Sequence, residues 1–190
     1  IRKPLDIMPA AKQGGLQSDR TKIQVLESTL PEQIIGQAQQ LYEQCFTGYS
    51  VLEPEGFLRR ACAPIDDSLF DSSSIAWVLL WDTTTSVEQL VGVVTLSPFA
   101  KSSLFVADLC IKREMRRQGL GLRLLRSAQQ HAVQRFGQKE EYSLCGTVSA
   151  TDTSLHRFYT NVGGFQKKED SRWGKDLVFF TKTFTIEYFQ

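Results

Sequence analysis

The chain has 190 residues, enough for one domain with a substantial core. Its 22 Lys and Arg against 21 Asp and Glu leave a net charge of +1. That balance gives no general attraction to nucleic acid or an anionic membrane, so neither is an expected partner and any basic site must be local. The hydrophobic fraction of 42% and charged fraction of 23% mark a globular chain, and no apolar run approaches the roughly 20 residues of a membrane-spanning helix.

Residues 1–21 carry Pro4, Pro9, Gly14 and Gly15 without periodicity and are expected as an N-terminal arm, ahead of a single domain over 22–186. Residues 22–29 alternate as a strand. Pro31 suits the first turn of a helix that runs to about Cys45, with Thr29 as a candidate cap. Phe46–Leu52 reads as a loop and Pro54–Cys62 as a second, short helix that stops before Pro64.

Ile75–Trp81 and Gln89–Leu96 are β-rich runs around a polar turn, and Leu104–Ile111 follows as a third strand. From Gly121 to Phe136, Leu124, Leu125, Ala128, Ala132 and Phe136 recur at helical spacing, with Gly137 at the stop. Ser143–Val148 is a strand and Thr151–Val162 a short helix. Phe165–Glu169 and Leu177–Phe184 form a final hairpin. The order is β-α-α-β-β-β-α-β-α-β-β. The fold class is α/β (α+β): a mixed, mostly antiparallel sheet of about seven strands with helices on both faces.

Cys45, Cys62, Cys110 and Cys145 include no Cys-x-x-Cys pair, and the chain has two histidines, so no metal site is expected. Each cysteine lies in an apolar segment, which predicts free buried thiols, a reducing compartment and a cytoplasmic location.

The stretch carrying the most chemistry is Arg116-Arg117-Gln118-Gly119-Leu120-Gly121, where a strand turns into a helix. Unpartnered backbone N–H groups, the helix dipole and close approach at glycine suit a phosphate there. Arg116, Arg117 and Arg123 put three fixed positive charges around one turn, which favours a pyrophosphate-bearing ligand. A dinucleotide fingerprint would require glycine at position 124, which is Leu124, and a Walker loop would require Gly-Lys-Ser/Thr, which is missing. A glycine-relieved turn with solvated arginines is the structural alternative.

Arg116-x-x-Gly119-x-Gly121 resembles the Gln/Arg-x-x-Gly-x-Gly/Ala signature of the GNAT superfamily of acetyl-CoA-dependent N-acetyltransferases. Asp108-Leu109-Cys110-Ile111 looks like the end of that family's fourth strand, and Leu155–Phe165 (LHRFYTNVGGF) resembles its Leu-Tyr-x-x-x-Gly-Phe helix end. The element order is also the family's, so the resemblance covers roughly residues 22–184.

The resemblance implies transfer of an acetyl group from acetyl-CoA to a primary amine by direct attack in a ternary complex. The acceptor would be a small molecule or a protein amine, and the assembly a monomer or homodimer. The loop amides of Arg116, Arg117, Gln118, Gly119, Leu120 and Gly121 would hold the pyrophosphate, and the edge at Leu109, Cys110 and Ile111 the pantetheine arm. Tyr159 falls at the motif's tyrosine and would give a proton to the leaving thiolate; its structural alternative is a packed helix aromatic.

For the base, Asp108 stands in an apolar strand where a carboxylate is unusual, and a water relay or a structural carboxylate are the other readings. Relatives often carry Glu or His one position earlier, where this chain has Ala107. They often carry Asn where this chain has Asp152, which fits a pantetheine contact or a helix cap. The motif also ends with one extra residue at Gly163-Gly164. His156 reads as a solvated surface histidine, and Cys110 and Cys145 as small buried hydrophobes rather than acyl carriers.

Tyr49 and Phe57 in the first loop, and Trp173 in the last hairpin, are acceptor-site candidates by the same resemblance. A non-catalytic acyl-CoA-binding module, and transfer of a longer acyl group, are the competing functions.

Overall fold

The computed structural model describes residues 20–27, 30–46, 75–137, 139–168 and 173–189. The expected helix at 54–62, Tyr49, Phe57, Cys62 and nearly all of the arm lie outside these residues. In chain order the elements are β1 (Thr21–Glu27), α1 (Glu32–Cys45), β2 (Ala76–Asp82), β3 (Gln89–Ala100), β4 (Ser103–Ile111), α2 (Leu120–Phe136), β5 (Tyr142–Ser149), α3 (Thr153–Arg157), β6 (Gln166–Lys168) and β7 (Leu177–Phe184). A 3-10 turn at Arg113–Met115 leads into α2, a π-helical turn at Phe158–Val162 follows α3, and a second 3-10 turn at Ile186–Phe189 ends the chain.

The seven strands form one sheet in the order β1-β2-β3-β4-β5-β7-β6. Every pairing is antiparallel except β4 with β5. The reason is local: β1 to β4 follow one another through turns or α1, whereas α2 crosses over between β4 and β5 and so delivers β5 parallel. β3 runs four residues beyond the expected Leu96, through Pro98. Proline is tolerated there because the β3–β4 register slips between Pro98 and Ala100.

Helices cover both faces. On one face, α1 places Ile34, Ala38, Leu41 and Tyr42 against Trp77, Leu79, Val93 and Cys110. On the other, Leu124, Leu125, Ala128 and Ala132 of α2 pack on Val78, Leu80, Val94 and Leu144. Residues 76–81 of β2 and 90–98 of β3 are therefore apolar or small throughout, because both of their faces are covered. α2 stops at Gly137, which takes a φ of 64° at the C-cap as the periodicity predicts.

Candidate active site

β4 is the pivot of the site. Its register against β3 jumps from Thr95↔Asp108 to Leu96↔Val106, so Ala107 is the extra residue of a β-bulge. A bulge bends its strand and ends regular pairing. On the other edge, β4 pairs with β5 from Ser103↔Ser143 to Val106↔Gly146 and no further. Beyond that rung Leu109, Cys110 and Ile111 remain paired with β3, and Thr147, Val148 and Ser149 with β7. The two strands part, and each turns toward the gap a backbone edge that no strand covers, with Ile111 O bonded to Arg116 and Ser149 O to the Asp152 amide. Such edges take an extended ligand as an added strand.

The gap leads toward the 116–121 loop. Arg117 has a φ of 65°, unusual for a side-chain-bearing residue and costing about 1 kcal/mol or more. Gly119 follows at 76° as the N-cap of α2. Arg123 N–H is bonded to Gly119 O at 3.1 Å, so the amides of residues 117–122 precede the helix ladder, whereas the Arg116 amide, also expected to face the ligand, is bonded to Arg113 O at 3.3 Å. The first turn of α2 carries no carboxylate, and residues 116–119 are exposed. Exposed backbone of this kind at a helix N-terminus can take an anion. At Gly121 a Cβ would stand 3.1 Å from Phe158 Cζ, so this glycine permits α2 to approach the π turn.

The arginines depart from expectation. Arg123 does not face the loop: its guanidinium bonds Thr21 Oγ1 and, at 2.9 Å, Thr21 O, tying α2 to β1. Arg116 turns back along β4, donating through Nε to Ile111 O at 2.9 Å and through a terminal nitrogen to Cys45 Sγ at 3.5 Å. Helix and turn geometry fix where a side chain starts, but its reach lets a tertiary acceptor capture it.

Asp108 faces α1. Its Oδ2 accepts from Tyr42 Oη at 2.9 Å, and Tyr42 Oη lies 2.7 Å from Thr95 Oγ1. The carboxyl is 5% exposed. Phe105 shares this face, since it pairs with Ser97, two residues after Thr95 on β3. Trp173 stacks on Phe105 at 5.3 Å between ring centroids and on Phe179 at 6.0 Å, and Phe99 adjoins all three. The acceptor candidate Trp173 is thus brought to the side of the sheet that carries Asp108.

Tyr159 belongs to the opposite core, with α2. It is stacked on Phe180 at 5.6 Å and set edge-on to Phe158 and Phe165. Burial pushes its hydroxyl well above the usual phenol range, and the charges of Asp108 and Cys110 add to the shift. The phenol is a neutral donor at any working pH. Its π turn accounts for the extra residue of the motif: Gly163 N bonds Phe158 O at 2.8 Å, five residues back, so one more residue fits into the turn. A Cβ at Gly163 would stand 2.9 Å from Tyr159 O, which is why a glycine occupies it.

Asp152 is the N-cap of α3, accepting from Leu155 N at 2.9 Å. His156 differs from the solvated histidine expected. It is half-buried, with Nε2 2.9 Å from Ser149 O and its ring against Phe180. Cys110 and Cys145 are buried as expected, but Cys45 is only half-buried, beside Arg116. Sequence reading attached no role to Tyr42 or Cys45, since apolar helix positions carry no sign of which strand residue they meet.

The sequence profile of the acetyltransferase (GNAT) family matches residues 36–165. No curated protein matches by sequence. Among solved structures, PaiA N-acetyltransferase from Thermoplasma acidophilum in complex with coenzyme A is similar, with a TM-score of 0.57 at 13% identity over 85% of this chain and 99% of that one. An acetyltransferase from Streptococcus agalactiae gives 0.61 at 12% identity over 85% and 98%. The ribosomal-protein-S18-alanine N-acetyltransferase of Escherichia coli gives 0.54 at 12% over 86% and 94%. At these identities the likeness is one of fold. Among the described residues no helix is long and apolar enough to cross a membrane, and no cluster could hold a metal ion.

Proposed function

Because the chain belongs to the acetyltransferase (GNAT) family, we propose that it moves an acetyl group from acetyl-CoA to a primary amine by direct attack within a ternary complex. The observation that carries the reading is the parting of β4 from β5 after Val106↔Gly146, with Asp108 on one face of the opening and Tyr159 on the other.

Acetyl-CoA would supply an activated thioester. The edge at Leu109, Cys110 and Ile111 beyond the last β5 rung suits its pantetheine arm, and the amides of residues 117–121 its pyrophosphate, the Arg116 amide being held by Arg113 O. Two features support the fit: the left-handed backbone at Arg117 and Gly119, and the carboxylate-free first turn of α2. Asp152, while capping α3, is bonded through its amide to Ser149 O at the β5 side of the gap, which suits a pantetheine contact.

Asp108 takes the proton of the incoming ammonium, directly or through one water, while Tyr42 holds the carboxylate in place. Tyr159 gives its proton to the departing thiolate, a role for which a neutral phenol is suited. Backbone N–H groups on the freed edge of β4 stabilise charge developing on the carbonyl oxygen. The acceptor approaches from the α1 face, beside Phe105 and Trp173. Tyr49 and Phe57 are further acceptor candidates from the loop after α1. We place the protein in the cytoplasm, as a monomer or homodimer.

One observation favours a second reading. Asp108 is already engaged by Tyr42, as a structural carboxylate would be. A non-catalytic acyl-CoA-binding module would share the loop and the edge without transferring anything. A panel of primary amines incubated with acetyl-CoA and the protein separates the two. Transfer predicts release of free thiol that depends on one class of amine, with the acetylated amine recovered. Binding without thiol release for any amine overturns transfer in favour of the module.

A further inference from the structure

Neither thiol at the α1 end of β4 is used in the transfer described above, yet both are placed for chemistry. Cys45 is the last residue of α1 and is half-buried. Its Sγ lies 3.4 Å from Ile111 O and accepts from Arg116 at 3.5 Å. Cys110, 1% exposed on β4, directly precedes Ile111 and belongs to the buried cluster against which Cys45 packs. We infer that Cys45 and Cys110 are a redox-active pair, a modification site at which a hydroperoxide converts two thiols into a disulfide joining α1 to β4.

The two sulfurs differ in the way such a pair requires. The hydrogen bond from Cys110, assisted by the Arg116 guanidinium and opposed by burial, brings Cys45 down to about 6. Burial, with the neighbouring Cys45 and Asp108, pushes Cys110 well above the usual thiol range. Cys45 is the thiolate and the more accessible sulfur; Cys110 is the protonated partner out of solvent reach.

The steps balance. The Cys45 thiolate attacks the peroxide oxygen, breaking the O–O bond and leaving Cys45 as a sulfenic acid, with the other oxygen protonated as water or an alcohol. Cys110 then attacks the sulfenic sulfur. Its S–H proton departs with the hydroxyl as water, and the S–S bond forms. The net reaction oxidises two thiols and reduces one peroxide. Because Cys110 reacts only with its neighbour, its burial is no obstacle.

The test uses the full chain, reduced, desalted and free of any acyl donor, so its outcome is independent of acetyl transfer. Hydrogen peroxide at pH 7 is followed by peptide mapping. The expected product is a Cys45–Cys110 disulfide, reversed by dithiothreitol. In Cys110→Ser, oxidation of Cys45 stops at a sulfenic acid that a cyclic 1,3-dione traps. Alkylation of Cys45 by iodoacetamide falls roughly tenfold between pH 7 and pH 5, against roughly a hundredfold for an unperturbed thiol. The inference is overturned if peroxide leaves the two thiols free, if Cys45 pairs with Cys62 instead, or if its alkylation follows the unperturbed profile.

Discussion

Val106 and Gly146 form the last rung between β4 and β5, and a Cβ on Gly146 would stand 3.1 Å from Val106 O. The strands part directly after this rung. Gly146→Val forces them apart one rung early, in a buried position. A loss of about 1–3 kcal/mol is expected from overpacking, with a rise in KM for the acyl donor that exceeds the change in kcat. Urea unfolding and steady-state kinetics read the two effects. Wild-type stability and KM would mean that this rung does not set the opening.

Tyr159→Phe keeps the ring that stacks on Phe180 and loses only the proton donor. The expected outcome is a fall in kcat of about 100-fold with KM for the acyl donor nearly unchanged. A variant with wild-type kcat would remove the hydroxyl from the mechanism. The same hydroxyl has a stability signature. Its native pKa is raised above the unfolded value of about 10, so between the two the unfolded chain loses the proton first and stability falls as pH rises above about 10. Denaturation of wild type and Tyr159→Phe across that range should show a shallower fall in the variant.

Arg123→Ala removes the tie from α2 to Thr21 of β1. A loss of about 1–3 kcal/mol follows from two hydrogen bonds to a charged donor. Acetyl-CoA affinity should stay within about twofold of wild type, since rim charges matter only where they face the ligand. Calorimetry alongside denaturation checks both. A large drop in affinity would return Arg123 to the phosphate site.

His131 is buried on α2, its Nε2 3.8 Å from Glu27 Oε1. Burial lowers its pKa below the ordinary value of 6.5, more than Glu27 raises it. The unfolded chain therefore takes up the proton before the native state does. Stability is fully present above about pH 6.5 and declines as pH falls through the lowered native value. His131→Leu should flatten the dependence of the urea midpoint on pH between about 6.5 and 5. An unchanged slope would assign the acid sensitivity to other groups.

The strand-to-helix turn at 116–121, Gly137 as a helix stop and the succession of strands along the chain are legible because each rests on local rules: glycine at positive φ, apolar periodicity and turn chemistry. The family signature then located Tyr159. What was hidden depends on long-range meetings. Tyr42 finds Asp108 and Arg116 finds Cys45 across more than sixty positions, and no periodicity encodes such a pair. Arg123 stands beside the loop in sequence, and that proximity does not show that Thr21 lies within its reach. The extra glycine before Phe165 is visible as an anomaly, but the π turn that absorbs it lies in the bond from Gly163 N to Phe158 O, which no sequence pattern signals.

If the 116–121 loop and the freed edge of β4 hold an acyl-CoA, as proposed, Gly119 is the residue that tests it most directly. Its φ of 76° is open space with nothing within 4 Å of a Cβ, so a side chain there meets the ligand rather than the core. Acetyl-CoA affinity should be measured by calorimetry for wild type, Gly119→Asn and Gly119→Glu, with circular dichroism as the control for folding. Asn tolerates the left-handed conformation, so it should bind within a few fold of wild type. Glu should lose at least about tenfold, by strain and by a carboxylate facing the pyrophosphate. Equal affinity in a folded Gly119→Glu would contradict the account.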